Sequence, residues 1–383
     1  MNNPYTLWGT PGSLYTAKVR AYLRKHRIEF VERAAGEPEF RERLVPTVGR
    51  WIIPVVETPD GDVLQDGTDI LDYFAAQSNG RFPIVPDTPV MRVIAHVFEL
   101  FGGEGLLRPA MHYRWNFDAE NIAFIKDDFC AGLAPGVSRA EKDAVFDFAS
   151  GRMRKATEAF GVSDASVAMV ERSYREFLQL LNTHLEGSPY LLGGRPSIGD
   201  YALFGPLFAH LGRDPAPASL MKREAPSVYR WTERMNVPED SSPEHPGASA
   251  EFAQTASETL LALLRFVSDD YLPELRAHVA FANSWLADRP DLEAGTNGLE
   301  KPGARMIGTA SFAWRGVDIA STVMPYRFWL LQRVQDAVEQ AGASAQPAIT
   351  ALLSDTGLSD LMSLQTSRPV ERRGHLEVWG ASR

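Results

Sequence analysis

Cysteine is almost missing from this chain of 383 residues, which has one, Cys130. That excludes a disulfide framework and a cysteine-rich metal site, and leaves Cys130 as a small buried apolar residue. No apolar run is long enough to span a bilayer. The opening Met1-Asn2-Asn3-Pro4 lacks the basic and apolar stretches of a secretory leader, so a cytoplasmic protein is expected. The eight histidines show no His-x-x-x-His spacing beside acids, and no metal is expected. There is no Gly-x-Ser-x-Gly elbow and no Gly-Lys-Ser/Thr phosphate loop. Positive charge is short as well. A net charge of −10 argues against a nucleic-acid surface, so neither nucleic acid nor membrane is expected as a partner.

What is present is 44% hydrophobic, enough for two or three packed cores at this length. The first eighty residues alternate in kind. Tyr5 to Trp8 reads as a strand and Thr10-Pro11-Gly12 breaks it. A helix follows Ser13 to about Arg27, with Ala17, Val19, Ala21, Tyr22 and Leu23 in apolar positions. Ile28 to Glu32 is another strand, and Pro38 to Leu44 a short helix. The segment Ile52 to Phe74 is the most telling. Pro54 has no N–H and suits a strand start. Val55 and Val56 favour a pleated sheet, Pro59-Asp60-Gly61 is a turn, and Val63-Leu64 returns. Asp66 then caps a helix carrying Ile70, Leu71 and Phe74. By itself this is a hairpin and a capped helix, whose first-turn N–H groups could hold an anion.

In sequence, these pieces resemble the thioredoxin-like domain of glutathione transferases. Ser13 stands seven residues before Arg20, as in that family's catalytic turn. Ile53-Pro54 resembles its cis-proline step, and Asp66-Gly67-Thr68 its glutamate–serine motif. Downstream, Ser197-Ile198-Gly199-Asp200 is a capping box like the one in the family's all-helical second domain, with a structural role. The resemblance implies an α/β thioredoxin-like domain at 1–85, an all-α domain at 88–238 and a mainly helical extension at 250–383 of unassigned role. It implies a transferase using glutathione as co-substrate on a small apolar electrophile, as in detoxification, in a cytoplasmic protein that can form a homodimer. A lyase, dehalogenase or isomerase use of glutathione fits the same scaffold. So does a non-catalytic binding or interaction protein.

The residues then take roles by that resemblance. A hydroxyl donor near a thiol favours the thiolate, and a helix N-terminus adds partial positive charge. Ser13 meets both conditions, and its bland alternative is helix capping. Tyr15 is the runner-up hydroxyl, Thr10 a weaker one, and Tyr5 lies in a strand. Ile53 would lend its backbone to the cysteinyl part beside a cis Pro54. Asp66 would accept the γ-glutamyl ammonium, and the Gly67 and Thr68 N–H groups would hold its carboxylate. Gly67 stands where the family has serine, which removes one hydrogen bond of about 1 kcal/mol. Cysteine is absent at position 13, so thiol exchange there is not expected. Phe98, Phe101, Met111 and Tyr113, with Trp115, are the candidates to line an electrophile pocket, and His112 has no assigned role. Each is equally explained as core.

Further along, Val90 to Val237 reads as mostly helical, with Gly102 to Gly105 as a break or kink and Phe117 to Gly136 as an inserted lobe or long loop. Glu239 to Ala250 has a linker's composition. Beyond it, Glu251–Phe266, Asp270–Leu286, Tyr326–Glu339 and Pro347–Leu364 read as helices. Gly295 to Gly308 reads as a loop and Arg373 to Trp379 as a strand.

Overall fold

Strand β1 (Tyr5–Gly9) opens the chain, followed by helix α1 (Leu14–Lys25) and strand β2 (Phe30–Ala34). A π-helical turn at Phe40–Leu44 runs into the short helix α2 (Val45–Val48). Strands β3 (Val55–Glu57) and β4 (Val63–Gln65) and helix α3 (Gly67–Gln77) complete the unit. In this computed structural model the described residues are 4–78, 80, 83–138, 141–238 and 242–383. The four strands form one sheet in the order β2-β1-β3-β4. β1 runs parallel to β2 and antiparallel to β3, with Trp8 opposite Val55. Leu7, Val56, Ala17, Tyr22 and Ile70 fill the space between this sheet and its helices. The Ile53–Pro54 peptide is cis, in line with the sequence reading.

The helical part comprises α4 (Pro89–Leu100), α5 (Leu107–Trp115), α6 (Asp118–Leu133), α7 (Lys142–Glu158), α8 (Val167–Gly187), α9 (Ile198–Ala209), α10 (Pro215–Glu224) and α11 (Pro226–Met235). The break expected at Gly102–Gly105 is a π-helical stretch, Phe101–Gly105. Gly102 is needed there because a Cβ would lie 2.5 Å from the Leu203 nitrogen of α9. Phe117–Gly136 is not a loop. It is mostly α6, opened by Asp118 and Glu120 on the favourable end of the helix dipole. Ile125 and Cys130 of α6 pack with Met111, Trp115 and Phe146. The capping box is formed: Asp200 accepts from Ser197 N and Oγ at 2.8 and 2.7 Å, and also from Leu191 N and Trp231 Nε1.

The extension departs most from expectation. Its two anticipated first helices are one, α12 (Glu258–Ala287), with Pro273 inside it. An interior proline costs about 3 kcal/mol. Burial of Leu260, Leu263, Leu264, Val267, Tyr271 and Leu275 outweighs that, at about 1.5–3 kcal/mol for each large side chain. A hairpin unread in the sequence follows: β5 (Gly308–Trp314) and β6 (Val317–Val323), turned by Arg315 and Gly316, both at positive φ. Helix α13 (Tyr326–Glu339) has the expected bounds. Pro347–Leu364 divides into α14 (Gln346–Asp355) and a 3₁₀ turn at Ser359–Met362, because Gly357 takes φ +72° between them. The final strand is half of a hairpin, β7 (Val370–Arg373) and β8 (Leu376–Trp379). Of the linker, residues 239–241 lie outside the described residues, and 242–250 is irregular.

The extension does not stand apart. Residues of α1, α3, α4, α8, α9, α12 and α13 share one continuous apolar core. Charged ties add to it. Arg333 of α13 pairs with Asp72 of α3 at 2.7 Å and Glu99 of α4 at 3.0 Å. Arg50 pairs with Glu377 of β8 at 2.7 Å, and Arg372 reaches the same carboxylate. Burial alone would raise Glu377, but Arg305, Arg50 and Arg372 outweigh it and bring its pKa to about 2. An unfolded glutamate titrates near roughly 4.3. Glu377 therefore contributes stability that is complete above that value and lost as the pH falls toward 2. Urea midpoints measured from pH 5 down to pH 2 should fall less steeply in Glu377→Gln than in the wild type. Equal slopes would show that the pair carries no linkage.

Candidate functional site

The end of β1, the Ile53–Pro54 step before β3 and the end of β4, which leads into α3, meet at one end of the sheet. Ser13 caps α1, its Oγ accepting from Thr16 N at 3.2 Å. Its hydroxyl proton is donated to no partner among the described residues. Ile53 lies just outside β3, half-buried, and neither its N–H nor its C=O has a hydrogen-bond partner among the described residues. Asp66 caps α3 from a positive φ of 86°, and its Oδ1 accepts from Thr68 N at 2.8 Å and from Asp69 N at 3.4 Å. The cap thus takes up the Thr68 N–H expected to hold a ligand carboxylate.

The extension takes up more of the site. The Tyr326 hydroxyl, at the start of α13, donates to Asp66 Oδ1 at 2.9 Å and lies 3.5 Å from Thr68 Oγ1. Lys18 of α1, buried, donates to Thr68 Oγ1 at 2.7 Å. Arg372 donates to Asp69 at 3.0 Å and to Gln65 Oε1 at 3.0 Å. Burial, then the neighbouring Asp66, raise Asp69 to about 6 against the pull of Arg372. Tyr15 points away from any thiol role. Its phenol donates to Glu104 Oε1 at 3.4 Å, and burial followed by that carboxylate raises its pKa. The space left among Tyr15, Lys18, Thr68, Glu99, Tyr326 and Leu330 is about 20 Å³, room for about one water. Small-molecule sites usually offer roughly 300–1,000 Å³. The space beside Thr68 and Tyr326 is therefore too small for a glutamyl group.

Behind Tyr326 lies a buried charge network. Arg327 donates through Nε to Glu104 at 3.0 Å and through Nη1 to Glu274 at 2.7 Å. Arg108 reaches the other Glu274 oxygen at 2.7 Å, and Ser321 donates to Glu274 at 2.8 Å. Two guanidinium groups thus face two carboxylates. Burial would raise Glu274, yet Arg327 and Arg108 bring it down to about 2.

Of the proposed pocket residues, Phe98, Phe101 and Tyr113 belong to the main core and Met111 to another. Phe98 is wholly buried, and Phe101 is packed edge-on against Phe177, Phe266 and Tyr271. Tyr113 stacks on Phe117 at 5.1 Å, and Met111 belongs to the separate cluster of α6 and α7. Trp115 joins Met111 there. Apolar spacing on a helix marks its buried face, and here that face meets other helices. His112 is held between Glu171 at 3.1 Å and Asn116 at 2.8 Å, and burial lowers its pKa. Sequence reasoning missed Lys18, Glu104, Tyr326, Arg327 and Arg372. Glu104 alone carried a signal, as a carboxylate set among glycines in an apolar stretch.

Residues 7–82 match the glutathione S-transferase N-terminal domain, and residues 164–234 match the glutathione S-transferase C-terminal domain. The chain thus carries the N- and C-terminal domains of the glutathione S-transferase family. No curated protein matches it. Among solved structures, it is similar to the β-etherase LigF from Sphingobium sp. strain SYK-6, at 17% identity over 62% of this chain and 97% of that one, with a TM-score of 0.44. It is similar also to the glutathione transferase GSTFuA3 from Phanerochaete chrysosporium, at 14% identity over 62% and 98%, with a TM-score of 0.44. A glutathione transferase family member from Pseudomonas fluorescens, solved with two glutathione molecules bound, is 17% identical over 61% and 88%, with a TM-score of 0.38.

The missing serine at Gly67 has no steric cause. A Cβ there would meet Lys18 Cδ at 3.5 Å and Val19 Cγ2 at 3.8 Å, which are ordinary contacts. Gly67→Ser should therefore change the free energy of unfolding by no more than about 1 kcal/mol, within the range of substitutions that create no clash. A loss several times larger in chemical denaturation would show that the position needs glycine.

Proposed function

We propose that this protein is a latent glutathione-dependent transferase, divided as 1–85, 88–238 and 250–383, in which the extension closes the glutathione site. The observation that carries this reading is the Tyr326 hydroxyl on Asp66, where the γ-glutamyl ammonium would go. Ser13 keeps its hydroxyl proton, and Ile53 keeps both backbone groups. When Tyr326 withdraws, Asp66 offers a carboxylate and Ile53 a strand-like edge. Ser13 then stands at the positive end of α1 as hydrogen-bond donor to a thiolate. A small apolar electrophile is the second substrate in this reading.

Magnitudes set how latent the site is. Releasing a phenol from a buried carboxylate costs about 1.5–3 kcal/mol, and exposing its ring about as much again. Glutathione binding of millimolar strength supplies only about 4 kcal/mol. The closed form therefore lowers apparent affinity by roughly 10²–10⁴-fold, in proportion to the open fraction.

A second reading, a binding or interaction protein on the same scaffold with no glutathione chemistry, is favoured by Arg327. This residue follows Tyr326 directly and is anchored in the buried network. Titration calorimetry separates the two. Glutathione should bind the wild type weakly, Tyr326→Phe about tenfold more tightly, and Tyr326→Ala about 100-fold more tightly. Turnover of small apolar electrophiles should appear in Tyr326→Ala and be lost when Ser13→Ala is added. Absence of binding to all three at millimolar glutathione would leave the second reading standing.

A further inference from the structure

The turn that carries Ser13 is held from outside its own unit. Within the unit, Thr10 O accepts from Ser13 N and from Arg20 Nη2, each at 3.2 Å. The carbonyl of Gly12 belongs to the peptide that contains Ser13 N, and its partners come from the helical part. It accepts from Arg114 Nη1 of α5 at 3.1 Å and lies 3.1 Å from Nε2 of His210, which follows α9. These residues stand 102 and 198 positions further along the chain.

Arg114 is 3% exposed, and its other donors are committed. Nε and Nη2 reach the two Asp214 oxygens, both at 2.7 Å, and Nη2 also meets Ala209 O at 3.1 Å. A bidentate guanidinium pair fixes direction as well as distance, so Nη1 is aimed at Gly12 O by bonds made elsewhere. Burial, followed by Arg114, holds the His210 pKa well below the usual imidazole range. A neutral ring carries one N–H. Of its two carbonyl neighbours Gly12 O is the nearer, at 3.1 against 3.3 Å for Ala110 O. Gly12 is also enclosed, since a Cβ there would lie 2.4 Å from Asp128 Oδ2, and Arg213 holds both oxygens of that carboxylate.

One partner satisfies a buried carbonyl. Two, from different elements, fix the plane of the Gly12–Ser13 peptide, and the place of the Ser13 Cβ then follows from φ alone. We infer that Arg114, with His210 beside it, is a positioning residue for the Ser13 hydroxyl. The helical part thereby sets where the thiolate donor stands, through a single carbonyl. This rests on the reading of Ser13 given above. Such a donor acts only when held within about 0.5 Å of its productive place.

The test uses the full chain carrying Tyr326→Ala, whose glutathione binding is read first by calorimetry. Absence of binding there would overturn the reading of Ser13, and this inference with it. In the bound form the thiol is titrated by the ultraviolet absorbance of its thiolate. Arg114→Lys keeps a charge beside Asp214 and loses the planar fork. It should raise the pKa of the bound thiol by about one unit. It should also lower kcat about tenfold while changing the KM for glutathione less than about twofold. His210→Leu should act in the same direction, and His210→Gln, which keeps a donor, much less. Hydrogen exchange without glutathione gives a second readout. The Thr16 amide, bonded to Ser13 Oγ at 3.2 Å, should exchange about tenfold faster in Arg114→Lys, and the Ala21 amide in mid-α1 at an unchanged rate. A parental thiol pKa and parental Thr16 exchange in both Arg114→Lys and His210→Leu would overturn the assignment. So would equal acceleration of Thr16 and Ala21, which marks a general loss of stability.

Discussion

Arg327 is the constraint on which the rest of the structure depends. It is 1% exposed and joins Glu104, from the break between α4 and α5, to Glu274 in the middle of α12. Charges withdrawn from water carry a penalty of several kcal/mol each, recovered only through good geometry and full hydrogen bonding. Two arginines face two glutamates here, and Ser321 shares one Glu274 oxygen with Arg327 while Arg108 takes the other. Removing Arg327 would leave the buried Glu104 with no ion pair among the described residues, which is far costlier than never having buried the group. The network therefore sets the register of α13 against α4 and α12, and so brings Tyr326 to Asp66.

The contact of Tyr326 with Asp66 is thus a consequence of packing and not an accident of one side chain. Arg333, Arg372 and Arg50 tie the extension to α3, α4 and the loop after α2, while a shared apolar core supplies the main driving force. The family's elements survive beneath it. Asp66 still caps α3, and Ser13 still caps α1. An N-cap and a ligand grip draw on the same N–H groups, however, so the capped helix start is already half satisfied without a ligand.

Local structure in the first unit was legible because each signal had a local cause. Pro59-Asp60-Gly61 could only turn, Asp66 could only cap, and Val55-Val56 suited a strand. The capping box at Ser197 and the bounds of α13 were legible for the same reason. Elsewhere the local signals misled. Glu251–Phe266 and Asp270–Leu286 read as two helices, whereas one buried face runs the length of α12. The Arg315-Gly316 turn lacks the asparagine or aspartate that marks most tight hairpins, and the hairpin of β5 and β6 went unread. Phe98, Phe101, Met111 and Tyr113 show the limit of apolar spacing. It identifies a buried face, and it does not say whether a ligand or another helix covers that face.

What the sequence determined alone is the set of local geometries: the strand and helix order of the first unit, its caps and turns, and a family of folds. These arise from φ and ψ preferences and from bonds within a few residues, which any context preserves. What only the tertiary structure decided is the state of the site. Tyr326 is 260 residues from Asp66, and Arg327 is 223 from Glu104. No periodicity joins such distances. They are set by which apolar faces meet, and by the need of each buried charge to find its opposite.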